Sequence, residues 1–233
     1  MVFGLKKQQT KYIKNTLDLN SISMTDFLPL FPLKLVAFPG EELNLHIFEP
    51  RYKQLIRECE QNGTTFGIPV FLNNKMTDFG TEVELIKIVK KGSDGSMDVK
   101  TRGLGIFKLH EYYSILSDKM YSGGDIKRIS GNENGDPLLY FKVLELTEQL
   151  FEYLSINKDI PKDRADFSTY EMAHHVGFSI EQEYNFLAIG NETDRQEFMV
   201  EHLENLIPIV KDMERLRKRV EMNGHFKNII PPM

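Results

Sequence analysis

The chain has 233 residues, of which 41% are hydrophobic and 27% are charged, as in ordinary globular proteins with a hydrophobic core. The net charge of −5 argues against the basic field of most nucleic-acid binders, and no apolar run approaches the ~20 residues that span a bilayer. A single cysteine, Cys59, excludes an internal disulfide and a multi-cysteine zinc site, so we expect a reducing cytoplasm.

The first 25 residues are basic. Their lysines outnumber their one acid, Asp18, and the segment lacks the apolar core of a secretory signal. We therefore expect residues 1–25 to form a solvated N-terminal arm. Met24 directly precedes the first strongly hydrophobic segment, which raises the hypothesis that translation begins there. Detection of residues 1–23 in the native protein by mass spectrometry would exclude this start.

Residues 26–130 have the pattern of short strands and turns. Proline donates no backbone hydrogen bond, so the prolines that interrupt the apolar runs indicate strand starts, edges or bulges. Two segments, GTEVELIKIVKK and SMDVKTRGLGIFKL, flank Asp94-Gly95 and predict a hairpin whose turn needs positive φ angles. Gly103 and Gly105 indicate bulges in the second strand, and YSGGDIKRI is a plausible closing strand. The pattern predicts a small, strongly bent β barrel.

One helix interrupts this half of the chain. The segment EPRYKQLIRECEQNG has apolar residues at helical spacing, which places four side chains on one face: Tyr52, Leu55, Ile56 and Cys59. Gly63 stands where a C-terminal cap belongs.

After the polar turn SGNENGDP the apolar residues recur every three or four positions, and a helix is predicted over 139–154. Three capping boxes predict helix starts near 169, 180 and 194: Ser168 with Glu171, Ser179 with Gln182, and Thr193 with Gln196. The last helix keeps a heptad-like stripe to Val220, with a kink or break expected at Pro208. The predicted fold class is α+β, with the barrel in 26–130, a helical bundle in 131–224 and a tail in 225–233.

Several of these segments resemble a known family. The run LPLFPLKLVAFPGEELNLHIFEPRYKQLI (28–56) resembles the opening of the Lon N-terminal domain, especially its small single-domain bacterial relatives. The pieces GTEVELIKI, DVKTRGLGIFKL and YSGGDIKRI resemble later strands of that domain. The resemblance covers residues 26–130 well and the helical part more loosely, because Asp194-Arg195-Gln196-Glu197 stands where the family often has an Arg-Leu pair.

The resemblance implies a PUA-like barrel followed by helices, and a module that binds protein or unfolded peptide segments. The same module occurs in cereblon, where it serves as an interaction platform. The leading hypothesis is a substrate adaptor or regulator of a separate protease. Proteolysis is not implied, because the ATPase string G-x-x-x-x-G-K-[ST] does not occur here and no Ser–Lys protease domain is expected. We therefore expect a protein that is not an enzyme and needs no cofactor.

The residues with reactive side chains have structural explanations. Cys59 lies on the apolar face of its predicted helix, which indicates a buried thiol rather than a nucleophile. His174 and His175 point about 100° apart on a helix and have no third ligand nearby, so no metal site is predicted. Glu49 suits the dipole at a helix start, and His46 is expected to pack at the same corner. No catalytic residue is predicted.

Aromatic residues near the edges of the barrel are the candidate binding residues. Those not absorbed by the core would form an apolar patch of the kind that binds partners. The candidates for contact with protein or peptide are Phe31, Phe38, Phe48, Tyr52 and Phe71. A strand edge next to Pro39 or Pro69 could also accept an extended peptide by strand addition.

Two alternatives stay open from the sequence. PUA-like barrels often contact RNA, and five basic residues cluster around the predicted hairpin: Lys87, Lys90, Lys91, Lys100 and Arg102. The heptad-like stripe of the last helix is compatible with packing inside the bundle and with pairing to another chain. A hydrolase based on Cys59 or His46 has no support in the spacing of the residues.

Overall fold

The computed structural model of the protein describes residues 26–157 and 168–226, with side chains up to residue 222. The predicted arm (1–25), the start at Met24 and the end of the tail (227–233) lie outside the described residues. Two compact units are present. The β unit contains the described residues of Met1–Asn132 and Tyr170–Asn191, and the helical unit contains those of Glu133–Thr169 and Glu192–Met233. The segment 170–191, which the sequence analysis placed in the helical bundle, thus groups with the strands.

Six strands form the sheet of the β unit: β1 (Asp26–Leu30), β2 (Glu42–Ile47), β3 (Phe66–Leu72), β4 (Lys75–Lys91), β5 (Met97–Tyr113) and β6 (Ser122–Ile129). The pairings run in the order β2-β5-β4-β3-β1-β6, and β6 pairs with β5 as well. Five strands therefore close a ring, and β2 is attached outside it as a terminal strand. The β1–β3 pairing is parallel and the others are antiparallel. The predicted α+β class is confirmed.

The length of β5 allows the ring to carry an extra strand. Its first half pairs with β2 from Met97 to Arg102, and its second half pairs with β6 from Ile106 to Tyr113. A bulge at Leu104, between the two glycines predicted to bend the strand, separates the halves. A Cβ at Gly103 would lie 2.2 Å from the carbonyl oxygen of Phe38, whereas one at Gly105 would meet nothing within 4 Å. Gly103 is thus required by close backbone packing.

Two tight turns connect the antiparallel strands β3, β4 and β5. The predicted hairpin is confirmed, with Lys91 opposite Met97, although only Gly95 of the predicted turn pair has a positive φ. A second hairpin joins β3 to β4 through Asn73 and Asn74, at φ angles of 49° and 61°. Two consecutive positive φ values match the right-handed twist of the strands, and asparagine tolerates them better than most residues.

The helix α1 (Pro50–Asn62) covers the core of the β unit. Its buried residues are the four predicted ones, and Gly63 caps it with φ 64°, donating its N–H to the carbonyl of Cys59. Proline at the first helical position suits a helix start because its missing N–H would have no partner there. The core beneath α1 joins its apolar face to the inward residues of the strands, among them Phe66, Ile68, Val83 and Val99.

A short 3₁₀ helix (Thr169–His175) and α3 (Ile180–Leu187) follow the segment 158–167, which lies outside the described residues. The predicted capping box of α3 is confirmed: Ser179 accepts from the N–H of Gln182, and the Gln182 side chain accepts from the N–H of Ser179. The remaining helices are α2 (Pro137–Leu154) and α4 (Glu192–Phe226), which pack on each other in the helical unit. The helix α4 continues through Pro208, so the alternative of a break there is wrong.

The two long helices run in the same direction. The backbone N–H of Asp136, the N-cap of α2, donates to the side-chain oxygen of Gln196 near the start of α4. The ammonium of Lys211 lies 5.9 Å from the ring centre of Tyr153 near the end of α2. Within residues 26–157 and 168–226, no helix is both long and apolar enough to cross a bilayer.

Candidate functional site

Three of the five candidate aromatic residues lie in the core of the β unit. The rings of Phe31 and Tyr52 are 3.9 Å apart, and both residues are buried. Phe38 is fully buried beside Tyr170 and Phe186, with ring centres 5.3 and 6.1 Å away. Phe38 therefore packs against the 3₁₀ helix and α3, and these three candidates present little or no surface to a partner in this conformation.

The other two candidates reach the surface. Phe48 follows β2 directly and is 61% exposed, with its ring stacked 6.0 Å from the imidazole of His46. Phe71 is half-buried in β3, where the pairing with β4 shifts register after Pro69. Contact with a partner would remove the apolar surface of an exposed phenylalanine from water, which is favourable. Phe48 is therefore the candidate best placed for binding.

The strand β2 has one free edge among the described residues. The carbonyl of Glu41 accepts from the N–H of Gly103 on β5, and backbone groups alternate in direction along an antiparallel strand. Glu42, Asn44 and His46 therefore direct their backbone N–H and C=O groups away from β5. Their side chains are exposed as well. This edge can pair with an extended segment, as unpaired strand edges do.

Three bulges place apolar side chains on the outside of the sheet next to β2. In the register of β4 and β5 three residues lack a direct partner, namely Ile86, Val89 and Leu104. They are 38%, 60% and 48% exposed. A bulge inserts one residue and so shifts which side chains face inward, which explains how three apolar residues come to face solvent.

Three of the five basic residues of the hairpin pair with acids. Lys100 and Arg102 both reach Glu42, at 2.6 and 3.1 Å, and their hydrogen bonds lower the pKa of that carboxyl. Lys91 lies 3.3 Å from Glu60. Contact of these three residues with a phosphate backbone would therefore require the acids to be displaced.

The reactive side chains that the sequence singled out are held in structural contacts. Burial raises the pKa of the Cys59 thiol, which opposes nucleophilic use. Arg51 pairs with Glu49 at 2.8 Å and lies over the ring of Tyr52. His46 lies 2.6 Å from Asp98. Among the described residues, no group of three His, Cys, Asp or Glu side chains is placed to hold a metal ion.

His174 links three parts of the β unit. Its Nδ1 lies 2.7 Å from Glu183 of α3, its Nε2 lies 3.3 Å from Glu41, and its ring packs on Phe38 at 4.9 Å. The hydrogen bonds to Glu183 and Glu41 raise the pKa of His174 to about 9. Both ring nitrogens face carboxylates, so the imidazolium donates to both. Sequence reasoning missed this role because the partners are distant in the chain.

A shallow cleft of about 530 Å³ lies beside α1. Its lining is mostly charged and amide side chains: Pro50, Lys53, Gln54, Arg57, Glu58, Gln61, Asp118 and Met120. Such a lining differs from the mostly apolar pockets that bind small ligands.

The fold and the exposed edge define a class of protein: an α+β module whose strand ring carries a solvent-facing terminal strand, combined with a unit of two long helices. The sequence model of one family, described as the ATP-dependent protease La (LON) substrate-binding domain, matches residues 27–205. The chain belongs to this family, and the match falls on its non-catalytic substrate-binding domain.

Solved structures of similar fold come from the same family. The chain is similar to a Lon N-terminal domain protein from Xanthomonas campestris, with 23% identity and a TM-score of 0.59, over 76% of this chain and 98% of that one. It is also similar to the N-terminal domain of Mycobacterium avium complex Lon protease, with 11% identity and a TM-score of 0.56, over 77% and 98% of the two chains.

Proposed function

We propose that the protein is a non-catalytic module that binds protein or unfolded peptide segments in the cytoplasm, as a substrate adaptor or regulator of a separate protease. The match to a substrate-binding domain supports the general role. The single observation that carries the proposal is the free edge of β2, with Phe48 exposed at its end.

The edge of β2 suits an extended peptide for two reasons. Main-chain hydrogen bonds to Glu42, Asn44 and His46 would bind a peptide whatever its sequence, which fits unfolded segments of varied composition. Phe48 would add an apolar contact for a large side chain, and exposed aromatic residues often carry much of the binding free energy. Phe71 is a secondary contact in this proposal, and Phe31, Phe38 and Tyr52 support the surface from the core.

The first test is affinity capture from native lysate with the full chain, with and without RNase treatment. We expect unfolded proteins or a protease to be enriched in both arms. Loss of every retained protein after RNase would contradict the proposal and favour RNA binding instead.

The second test removes the edge. Asn44→Pro deletes one N–H on the free side of β2 and leaves the hydrogen bonds to β5 in place, since proline is tolerated on strand edges. We expect a folded variant that binds a labelled, permanently unfolded protein at least tenfold more weakly in fluorescence anisotropy. Binding equal to the original would exclude strand addition to β2.

A matched pair of phenylalanines tests the apolar contact. Phe48 and Phe141 are 61% and 63% exposed, and they lie in the β unit and the helical unit respectively. We expect Phe48→Ala to weaken binding of the same probe about tenfold, or about 1.4 kcal/mol, and Phe141→Ala to leave it unchanged. Equal effects of both variants would show non-specific adsorption rather than a site.

A further inference from the structure

The C-terminal half of α4 carries an apolar stripe that the described residues leave exposed. Four residues form it, and they are 58%, 65%, 57% and 69% exposed: Ile209, Met213, Leu216 and Val220. Their spacing of four, three and four residues is that of alternating d and a positions in a heptad. Such a stripe forms the seam of a coiled coil, and we call these four residues the seam.

The first half of the same helix is different. Met199, Leu203 and Ile207 are buried, and they belong to the part of α4 that runs beside α2. The contact between Lys211 and Tyr153 marks the last turn of α2, which ends at Leu154. With 35 residues against 18, α4 is longer than α2 by roughly 25 Å at 1.5 Å per residue. Most of the seam therefore lies on the part of α4 that extends past its partner.

We propose that the seam pairs with the seam of a second copy of this chain, so that the protein self-associates through a short two-stranded coiled coil. Charges next to the seam support this occupant. Asp212 holds a g position, Arg217 an e position and Arg219 a g position. In a parallel pair Asp212 faces Arg217 of the second copy, and in an antiparallel pair centred between Met213 and Leu216 it faces Arg219. Either direction brings opposite charges together.

Ion pairs within α4, some of them made by these same residues, stabilise the helix before it pairs, and Asp212 lies 3.3 Å from Arg215. Arg217 lies 2.9 Å from Glu214, and Lys218 lies 3.6 Å from the same carboxylate, as expected for neighbours three and four residues apart. The extended part of α4 is thus supported by its own ion pairs and can present the seam as a formed helix. Since the seam is only about two heptads long, we expect association that depends on concentration rather than a permanent dimer.

Sedimentation velocity of the full chain over a wide concentration range tests the proposal. We expect a shift from monomer to dimer, and we expect Leu216→Glu to require at least tenfold higher concentration for the same shift. Met222→Glu adds the same charge at a c position outside the seam, where the side chain is 65% exposed, and should behave as the original. A chain that stays monomeric throughout, or a Leu216→Glu variant that dimerises equally well, would overturn the proposal. Because Leu216 is exposed, thermal unfolding of its variant should match the original at concentrations where both are monomeric.

Cysteine cross-linking locates the contact independently. The native Cys59 is buried, so an introduced thiol on α4 is the accessible one. In a parallel pair Leu216→Cys should form a disulfide-linked dimer by itself. In an antiparallel pair the link should form when the Met213→Cys and Leu216→Cys proteins are mixed. Either product supports the seam, and failure of both at concentrations where the original is dimeric would overturn it.

Discussion

Two arginine–glutamate pairs, one in each unit, place a carboxylate beside a guanidinium in different surroundings. In the β unit Glu82 is nearly buried and accepts from Arg128, whose side chain is 49% exposed. In the helical unit Glu192 and Arg195 are both 1% exposed, with Arg195 bonding to Glu192 at 2.7 Å. The same two residue types therefore form one pair at the surface and one inside the protein.

The pKa directions of the two acids are opposite. Hydrogen bonds from Arg128 lower the pKa of Glu82. Burial raises the pKa of Glu192, and the attraction of Arg195 offsets only part of this rise. An arginine that keeps contact with water stabilises a carboxylate at little cost, but a pair with both members buried must first lose its hydration. Desolvation of the carboxyl is the larger effect at Glu192, whereas the hydrogen bond from Arg128 is the larger effect at Glu82.

The largest effect is expected where the arginine is buried. Arg195→Met leaves the Glu192 carboxylate buried without its counter-charge, and we expect the free energy of unfolding at pH 7 to fall by about 3–5 kcal/mol. Urea unfolding monitored by circular dichroism measures this fall in the free energy of unfolding. Because the pKa of Glu192 would rise further in the variant, its stability deficit should grow as the pH rises above the ordinary value of 4.5.

The control removes the remaining charge. Gln at position 192 can still accept from the N–H of Thr169, which lies 2.9 Å from the present carboxylate. We therefore expect Arg195→Met combined with Glu192→Gln to recover more than half of the lost stability. A double variant as unstable as the single one would show that Arg195 acts through packing, since its aliphatic stem also fills space.

The sequence predicted the parts of the fold that depend on neighbours in the chain. The buried face of α1 follows from helical spacing, its cap from Gly63, and the start of α3 from Ser179 and Gln182. The hairpin through Asn73 and Asn74 was missed, although two asparagines between apolar segments are a known turn signal.

Features that depend on distant residues were not predictable in this way. The Glu192–Arg195 pair is completed by Thr169 and Glu133, which no local pattern connects to it. The sequence pattern did not distinguish buried from exposed residues among the five aromatic candidates, but the fold buries Phe38 and exposes Phe48. Side-chain periodicity tells which residues share a face of a strand or helix, whereas tertiary packing decides which faces are covered.

A smaller effect is expected for the exposed arginine. Arg128→Met leaves Glu82 with the hydroxyl of Thr65, which donates to it at 2.6 Å. We expect a loss of about 1–2 kcal/mol at pH 7, because water screens this pair and can replace part of it. Because the pKa of Glu82 in the folded state lies below its ordinary value of 4.5, the pair stabilises the folded protein above pH 4.5. This contribution disappears as the pH falls through the lowered pKa. The difference between the original and the variant should therefore narrow in acid, and a constant difference from pH 7 to pH 3 would contradict this cause.

The smallest effect, and one with the opposite pH dependence, is expected for His174. Its pKa is raised from 6.5 to about 9 by Glu183 and Glu41, so its contribution to stability is complete below pH 6.5 and is lost as the pH rises through 9. The ring is one-third exposed, and with solvent screening we expect a contribution of about 1 kcal/mol. His174→Gln should abolish the decline in urea midpoint between pH 6.5 and 9.5, while His110→Gln, at an exposed position of β5, should preserve it. A decline that persists in the His174 variant would show that another group titrates between pH 6.5 and 9.5. The ion pairs of the imidazolium with Glu183 and Glu41 would then not be what stabilises the packing of α3 on the strands.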